Sequence, residues 1–381
     1  HALLSDRSDL DQGAHQLGDL FQKLSGKDCV VFAHIGGRPA DIARAEDAKL
    51  RTAVEIHSDW GTFEWVLLDA FKLGYRVGVV CNSDGHKGAP GACYPGASEF
   101  GAYSGLTCYL APELSRDAIF DAMRKRRHYG TTGARLFMDV RAALGESGAV
   151  YTVDPRVSDL PALPSAVAEM GDIAITNAVE AQIHVTLETG SPIVQVDLMN
   201  GSETVAVHHP YESNTGSRVR LIWEGAEYRG RGRQTFWRGD VSINGGQITR
   251  FNRFNHWNHD RPFHQNGDDR VVFDLVTTGN FVGCDLWLDN EDATVTVSSD
   301  LVTAEATVSS IPADGLTFEA GGLDRAVRMI RLPDALETRS LHLEIPAALT
   351  QGRDNPMWVR VKTEDGHTAW SRPIYIIRQG S

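Results

Sequence analysis

Near the start of the chain, three apolar runs of strand length each end in side chains that can bind a metal. In chain order these side chains are His34, His57, and the pair Asp84 and His86. Imidazoles and carboxylates together suit Zn²⁺, Fe or Mn²⁺ and do not suit Ca²⁺. The carboxyl ends of neighbouring parallel strands meet at one edge, so we expect these side chains to converge. A lone histidine is usually structural, but ligands at three successive strand ends favour a metal site.

The segment around Asp84 combines several chemical groups in one loop. Asp84 and His86 lie two residues apart, and Gly85 allows the backbone to turn tightly between them. The two side chains either share one metal or bind two adjacent metals. Lys87 adds a positive charge beside glycine-rich backbone whose N–H groups suit a phosphate, although a solvated surface lysine explains it equally well. We therefore expect Asp84, His86 and Lys87 to be the catalytic residues.

Strand-like and helical patterns alternate through residues 1–150. Helical spacing at 10–24, a helix over 63–73 that stops at Gly74, and a helix over 115–127 separate the apolar runs. The run 136–140 is expected to be a fourth strand of the same kind. Strands that alternate with helices of about ten to fifteen residues predict βα units on a parallel sheet or barrel. The first part of the chain is therefore expected to be α/β.

After about residue 150 the hydrophobic period changes to two. Apolar and polar residues alternate strictly over 179–188, and Asn-Gly and Asp-Gly dipeptides mark hairpin turns further along. This pattern predicts an all-β region, most simply an antiparallel β-sandwich over 166–381. The proline-rich stretch 151–165 is the expected linker between the two parts.

Charge and composition exclude several classes of partner. The 381 residues carry a net charge of −13, and the residues after 150 hold 20 basic and 31 acidic side chains, a net of −11. Such an acidic surface repels nucleic acid and anionic membranes. No apolar run approaches the ~20 residues that a membrane span needs. The five cysteines form neither a disulfide framework nor a CxxC metal pair.

Four motifs carry a family resemblance that covers nearly the whole chain. The segment 79–91 contains Ser-Asp-Gly-His-Lys, the segment 105–108 reads Gly-Leu-Thr-Cys, the segment 127–133 contains Tyr-Gly-Thr-Thr-Gly, and 369–374 reads Ala-Trp-Ser-Arg-Pro-Ile. Together they resemble a poorly characterised branch of the polymerase-and-histidinol-phosphatase (PHP) superfamily, and the last resembles its closing motif.

The resemblance implies a distorted, TIM-like βα barrel with about two or three divalent metals at its mouth that hydrolyses phosphoesters with metal-activated water. In that pattern Asp84 binds one metal and His86 another, while His34 and His57 share a third. The fold expectation is therefore α/β plus all-β, with part of a PHP-type barrel over 1–150 followed by the β-sandwich.

Two features depart from the family pattern. The family's opening His-x-His element, its Asp-His element and its bridging Glu lie upstream of anything in this sequence, so the chain is expected to begin inside the barrel. An upstream segment or a separate chain is then expected to complete the barrel. Many relatives carry a His at the position of Trp60, which leaves His57 as the nearby ligand. Because the sequence starts at His1, localisation cannot be read from it.

Other polar residues have both functional and structural interpretations. Glu55 lies two residues before His57 and is either a ligand, an acceptor that orients a histidine, or an arginine's partner. Glu64 in the first turn of a helix is explained by the helix dipole. The stretch 251–264 holds His256, His259, His264 and four aromatics. It suits a sugar-stacking platform or a weak second metal site, and a long surface loop is the simpler interpretation.

The expected function is that of a metal-dependent phosphoesterase acting on a small-molecule or saccharide phosphoester, with Zn, Mn or Fe as the metal. Two alternatives stay open. One is a metal-dependent hydrolase of a non-phosphate ester or amide, and the other is a carbohydrate-binding β-protein with an inactive barrel. Metal content separates the enzymes from the binding protein, which has no reason to hold near-stoichiometric transition metal.

Overall fold

The computed structural model describes residue 14 and residues 16–35, 40–85, 102–212, 216–229 and 233–380. Within these ranges the α-helices are α1 (Leu17–Leu24), α2 (Glu64–Lys72) and α3 (Arg116–Arg124). All three fall short of the length and apolar character that crossing a bilayer requires.

Strands dominate the rest of the described chain. In the first half they are β1 (Phe32–Ala33), β2 (Ala53–Ser58), β3 (Gly61–Thr62), β4 (Gly78–Cys81), β5 (Leu106–Tyr109), β6 (His128–Thr131), β7 (Leu136–Tyr151), β8 (Leu163–Glu169), β9 (Ile173–Thr176), β10 (Glu180–Thr189), β11 (Ile193–Asn200) and β12 (Glu203–His208). In the second half they are β13 (Arg218–Ala226), β14 (Thr235–Asn244), β15 (Ile248–Phe254), β16 (Phe263–Gln265), β17 (Arg270–Thr277), β18 (Phe281–Leu288), β19 (Thr294–Ser299), β20 (Thr303–Thr307), β21 (Leu316–Glu319), β22 (Leu323–Leu332), β23 (Ser340–Ala348), β24 (Asp354–Thr363), β25 (Thr368–Trp370) and β26 (Ile374–Arg378).

A small parallel sheet positions the residues of the candidate site. Its central strand β2 pairs in parallel with β1 on one side and β4 on the other, and β3 folds back on the end of β2 as a short hairpin. Every residue of β2 is buried, as expected for a central strand that is covered on both faces. Helix α2 packs on β2 and contributes Val66 and Leu67 to the same apolar core as Val54 and Val79.

A twelve-stranded sheet forms the largest layer. Its strand order is β23-β10-β7-β9-β26-β24-β25-β6-β5, with β8 on β7 and β11 linking β24 to β12. All its pairs are antiparallel except β9 with β26. Along β10 the apolar side chains alternate into the core, from Ala181 through Ile183 and Val185 to Leu187. The C-terminal strands thus complete a sheet that begins before residue 110.

Two five-stranded antiparallel sheets lie between β12 and β23 in the sequence. Their orders are β15-β18-β13-β22-β21 and β16-β17-β14-β19-β20. They share one apolar core, to which Trp223 and Leu286 belong from the first sheet and Trp237 and Val297 from the second. The two sheets therefore pack face to face around side chains that alternate inward along each strand.

The predicted fold, a βα barrel followed by an antiparallel sandwich, is wrong. The described chain is mostly β, and its strands form several open sheets in which no barrel closes. Parallel pairing in the first part stops at β4, because the run 136–140 is not a further barrel strand but the start of the long strand β7. Met138, Val140 and Ala142 alternate into the large core, and β7 pairs antiparallel with β10. The expected segment that completes a barrel stays a prediction.

Candidate metal centre

Three ligand side chains meet at the carboxyl edge of the small parallel sheet. His34 directly follows β1, Glu55 lies within β2, and Asp84 follows β4. The parallel register places Ala33 beside Val54 and Glu55 beside Val80. Because all three strands run in the same direction, the segments that leave them emerge together, and this brings residues far apart in sequence into one cluster.

The distances in this cluster suit coordination of one cation. His34 Nδ1 lies 2.9 Å from Glu55 Oε1, and His34 Nε2 lies 3.5 Å from Asp84 Oδ2. One ligand atom from each of the three residues lies within 4.8 Å of the other two. The side chain of Glu55 is 6% exposed, whereas that of His34 is 52% exposed. The cluster thus has a buried carboxylate at its base and a side accessible from solvent.

Local backbone and a neighbouring amide fix the two carboxylates. Asn82 Nδ2 donates a hydrogen bond to Glu55 Oε2 at 2.9 Å, so one oxygen of Glu55 is oriented while the other faces His34. Asp84 has a φ of 50°, in the left-handed region that aspartate tolerates better than most residues. This conformation turns the backbone three residues after the end of β4.

The electrostatics of the cluster favour a positive charge at its centre. The hydrogen bond to Glu55 raises the pKa of His34 above its usual value; burial opposes the shift, and the negative charges of Glu55 and Asp84 support it. A divalent cation satisfies the same two carboxylates and requires the neutral imidazole, so metal binding competes with protonation of His34. One imidazole and two carboxylates form a donor set that fits Zn²⁺, Mn²⁺ or Fe²⁺.

His57, the fourth predicted ligand, lies outside this cluster. Its Nδ1 is 2.9 Å from Thr62 Oγ1 and its Nε2 is 2.8 Å from the carbonyl oxygen of Tyr103. The ring is buried and stacks on Trp370 at a centroid distance of 6.1 Å. Burial lowers the pKa of His57 to about 4. In this arrangement both ring nitrogens of His57 are engaged by protein groups.

Two predicted residues are not described. His86 and Lys87 belong to residues 86–101, which lie outside the described ranges. The structure therefore brings together His34 and Asp84 from the predicted set, and it adds Glu55, for which sequence reasoning left three interpretations open. Asn82 was missed. The signal available for it was its place in the polar run that follows β4.

A polar cavity of about 180 Å³ lies where the small sheet, the large sheet and the paired sheets meet. Glu64 at its wall accepts hydrogen bonds from Arg360 Nη1 and Trp370 Nε1, each at 2.7 Å. Arg360 also donates to Asp197 Oδ2 at 2.9 Å. Glu64 therefore ties α2 to the large sheet in addition to lying in the first turn of the helix. Lys362 lines the same cavity.

Comparison with known proteins gives one partial match. A family model described as "Protein of unknown function (DUF3604)" matches residues 94–152. No curated protein and no solved structure matches the chain. The matched segment runs from just before β5 to the end of β7, and its description names no activity.

Proposed function

We propose that this chain is a metal-dependent hydrolase, and most simply a phosphoesterase with a small-molecule or saccharide phosphoester as its substrate. The observation that carries the proposal is the approach of His34, Glu55 and Asp84 to within 4.8 Å of one another at the carboxyl edge of parallel strands. The resemblance of the segments around Asp84 and Tyr129 to the PHP superfamily supports the same reaction class.

The described residues take distinct roles in this proposal. His34, Glu55 and Asp84 hold a divalent transition metal, and Asn82 orients Glu55 through its 2.9 Å hydrogen bond. When bound, such a metal lowers the pKa of water and offsets charge on phosphoryl oxygens. The exposed side of His34 leaves the centre open to a substrate from solvent. His86 and Lys87 are proposed to contribute a further ligand and a phosphate contact, as the resemblance implies.

The test is hydrolysis by the full chain after metal depletion and reloading with Mn²⁺, Zn²⁺ or Fe²⁺. Substrates are p-nitrophenyl phosphate, bis-p-nitrophenyl phosphate and a panel of sugar phosphates, with p-nitrophenyl acetate as the non-phosphate comparison. We expect metal-dependent phosphoester turnover that Glu55→Gln and Asp84→Asn each reduce by about 100-fold or more, and that Asn82→Ala reduces by about 10- to 100-fold.

The matched control is Glu337→Gln, an exposed carboxylate far along the chain, which should leave turnover unchanged. Turnover that survives both Glu55→Gln and Asp84→Asn would refute the role of this cluster. Metal-dependent hydrolysis of the acetate ester alone would instead assign the enzyme to the non-phosphate alternative.

A further inference from the structure

A second group of metal-binding side chains lines a cavity of about 400 Å³ on the paired sheets. The cavity lies between the loop that joins β15 to β16 and the turn that joins β24 to β25. Its potential ligands are His256, His259, Asp365 and His367. The first two come from the stretch 251–264, whose density of histidines the proposed hydrolase centre does not use.

His256 is the unusual member of this group. Its side chain is buried at 5% exposure, and within the described part of the chain neither ring nitrogen makes a well-formed hydrogen bond, although the backbone of Arg261 lies close enough to interact with the ring. Buried polar atoms almost always have a partner, because leaving one unsatisfied costs free energy. Burial also lowers the pKa of His256 to about 4; the positive charge of Arg253 adds to the shift, and the backbone of Arg261 opposes it. A metal ion would give these buried nitrogens the partner that the protein does not supply.

His259 lies close enough to His256 for both rings to bind one metal ion. Its ring and that of His256 are 5.3 Å apart between centroids, at an interplanar angle of 82°. Two imidazoles on one tetrahedral zinc, with Zn–N distances of about 2.0–2.1 Å, place their centroids about 5 Å apart. His259 is exposed, so its ring is able to rotate without disturbing the core.

His367 faces the same cavity from the opposite turn. Its Nδ1 lies 3.0 Å from Thr132 Oγ1, so Nε2 is the nitrogen left for a ligand. Metal-binding histidines commonly carry a hydrogen bond on their other nitrogen. Asp365 lies two residues earlier and is exposed at the rim of the cavity.

Three of the four aromatic residues in the stretch 251–264 face the interior, whereas Trp257 is half-buried. Phe254 and Phe263 are buried at 5% and 1% exposure, and Phe251 packs against the core of the paired sheets. The rings of these three phenylalanines therefore pack in the interior and are not free to stack on a sugar. Arg253, the cation nearest the cavity, donates to the carbonyl oxygen of Phe263 at 2.9 Å.

We propose that His256, His259 and His367 form a second binding site for a transition-metal ion such as Zn²⁺ or Co²⁺, with Asp365 or water completing the coordination. Among the described residues only the cluster at His34 already holds three ligand atoms within 4.8 Å. The second site therefore forms when the exposed ring of His259 and the ring of His367 turn toward the buried His256. This inference does not depend on the proposed hydrolase activity.

The experiment is a Co²⁺ titration of the full chain, followed by calorimetry and by the visible absorption of the bound ion. A His34→Gln background removes the first centre from the measurement. In that background we expect about one equivalent of bound Co²⁺. His259→Gln and His256→Gln should each weaken its affinity at least about tenfold, since each removes a ligand nitrogen. The matched control is His264→Gln, an exposed histidine of the same stretch that does not line the cavity.

The outcomes separate the two sites. No Co²⁺ binding in the His34→Gln background overturns the proposal, as does binding that His259→Gln and His256→Gln leave within about twofold of the background. Because His259 is exposed, its variant is expected to fold even if His256→Gln does not. Failure of the first centre would appear differently, as identical titrations of the native chain and the His34→Gln chain.

Discussion

Replacing Lys362 with methionine should stabilise the protein at neutral pH. Lys362 lies on β24 and lines the cavity where the three layers meet, and no carboxylate of the described residues lies within ion-pair distance of it. Burial lowers the pKa of Lys362 to about 8, the charges of Arg328 and Arg360 add to the shift, and those of Glu224 and Asp197 oppose it. The folded protein therefore carries an ammonium group in an unfavourable place.

The size of the effect follows from the shift. The pKa of Lys362 changes from 10.5 to about 8 on folding. At about 1.4 kcal/mol per unit this is at most about 3.5 kcal/mol, and partial solvent access reduces it to about 1–3 kcal/mol. Below pH 8 Lys362 is protonated in both the folded and the unfolded state, so the buried ammonium group destabilises the fold by the full amount. Between about pH 8 and 10.5 the unfolded state binds more protons, so the stability of the native chain rises with pH and the cost disappears.

The assay is urea unfolding of the native chain and Lys362→Met at pH 7 and at pH 9.5. We expect the variant to be more stable by about 1–3 kcal/mol at pH 7, with a smaller difference at pH 9.5. Lys72→Met is the control, because that side chain is 70% exposed and should change stability by less than about 0.5 kcal/mol at either pH. A variant that is less stable than the native chain at pH 7, or a difference that grows with pH, would refute the reasoning.

Two further predictions concern buried charges. Burial lowers the pKa of His128 to about 3, so the unfolded state binds more protons below about pH 6.5 and acid should destabilise the fold. Urea unfolding should show a loss from this group of about 2–3 kcal/mol between pH 6.5 and pH 4.5 that His128→Gln lacks; equal acid sensitivity in both chains would contradict it. Asp285 accepts hydrogen bonds from Arg218 at 2.6 Å and from Arg220 at 2.8 Å, and all three side chains are buried. Asp285→Ala should therefore lower the free energy of unfolding by about 3–5 kcal/mol, measured by thermal or urea unfolding. Asp314→Ala, which removes an exposed carboxylate, should change it little. Similar stabilities for the two variants would show that the buried guanidinium groups do not need Asp285.

The sequence located the candidate site better than it located the fold. His34 and Asp84 were identifiable because each follows an apolar run, and successive parallel strands deliver such residues to one edge. Glu55 remained ambiguous because its partner His34 lies 21 residues earlier, at the end of a neighbouring strand. His57 fits the same pattern as His34, yet its ring is bound by Thr62 and by Tyr103, a residue 46 positions away. A local sequence pattern does not reveal that other protein groups occupy both ring nitrogens of a candidate ligand.

The barrel prediction failed because a short apolar run does not specify its pairing partner. The run 136–140 was interpreted as a parallel strand, and its antiparallel partner β10 lies almost fifty residues later. The period-two pattern after 150 correctly indicated strands such as β10. It did not show that β25 returns to pair with β6, and β26 with β9, in one large sheet. Long-range pairing of this kind depends on complementary faces that meet only in the folded chain.

The most direct test of the candidate metal centre is anomalous diffraction from crystals of the full chain grown or soaked with Mn²⁺ or Zn²⁺, recorded at the absorption edge of the metal. We expect a peak bound by His34, Glu55 and Asp84, with metal–ligand distances of about 2.0–2.2 Å for zinc. In that state His34 no longer makes its 2.9 Å contact with Glu55. Metal-saturated crystals that show no peak there, with the His34–Glu55 contact intact, would contradict the central claim.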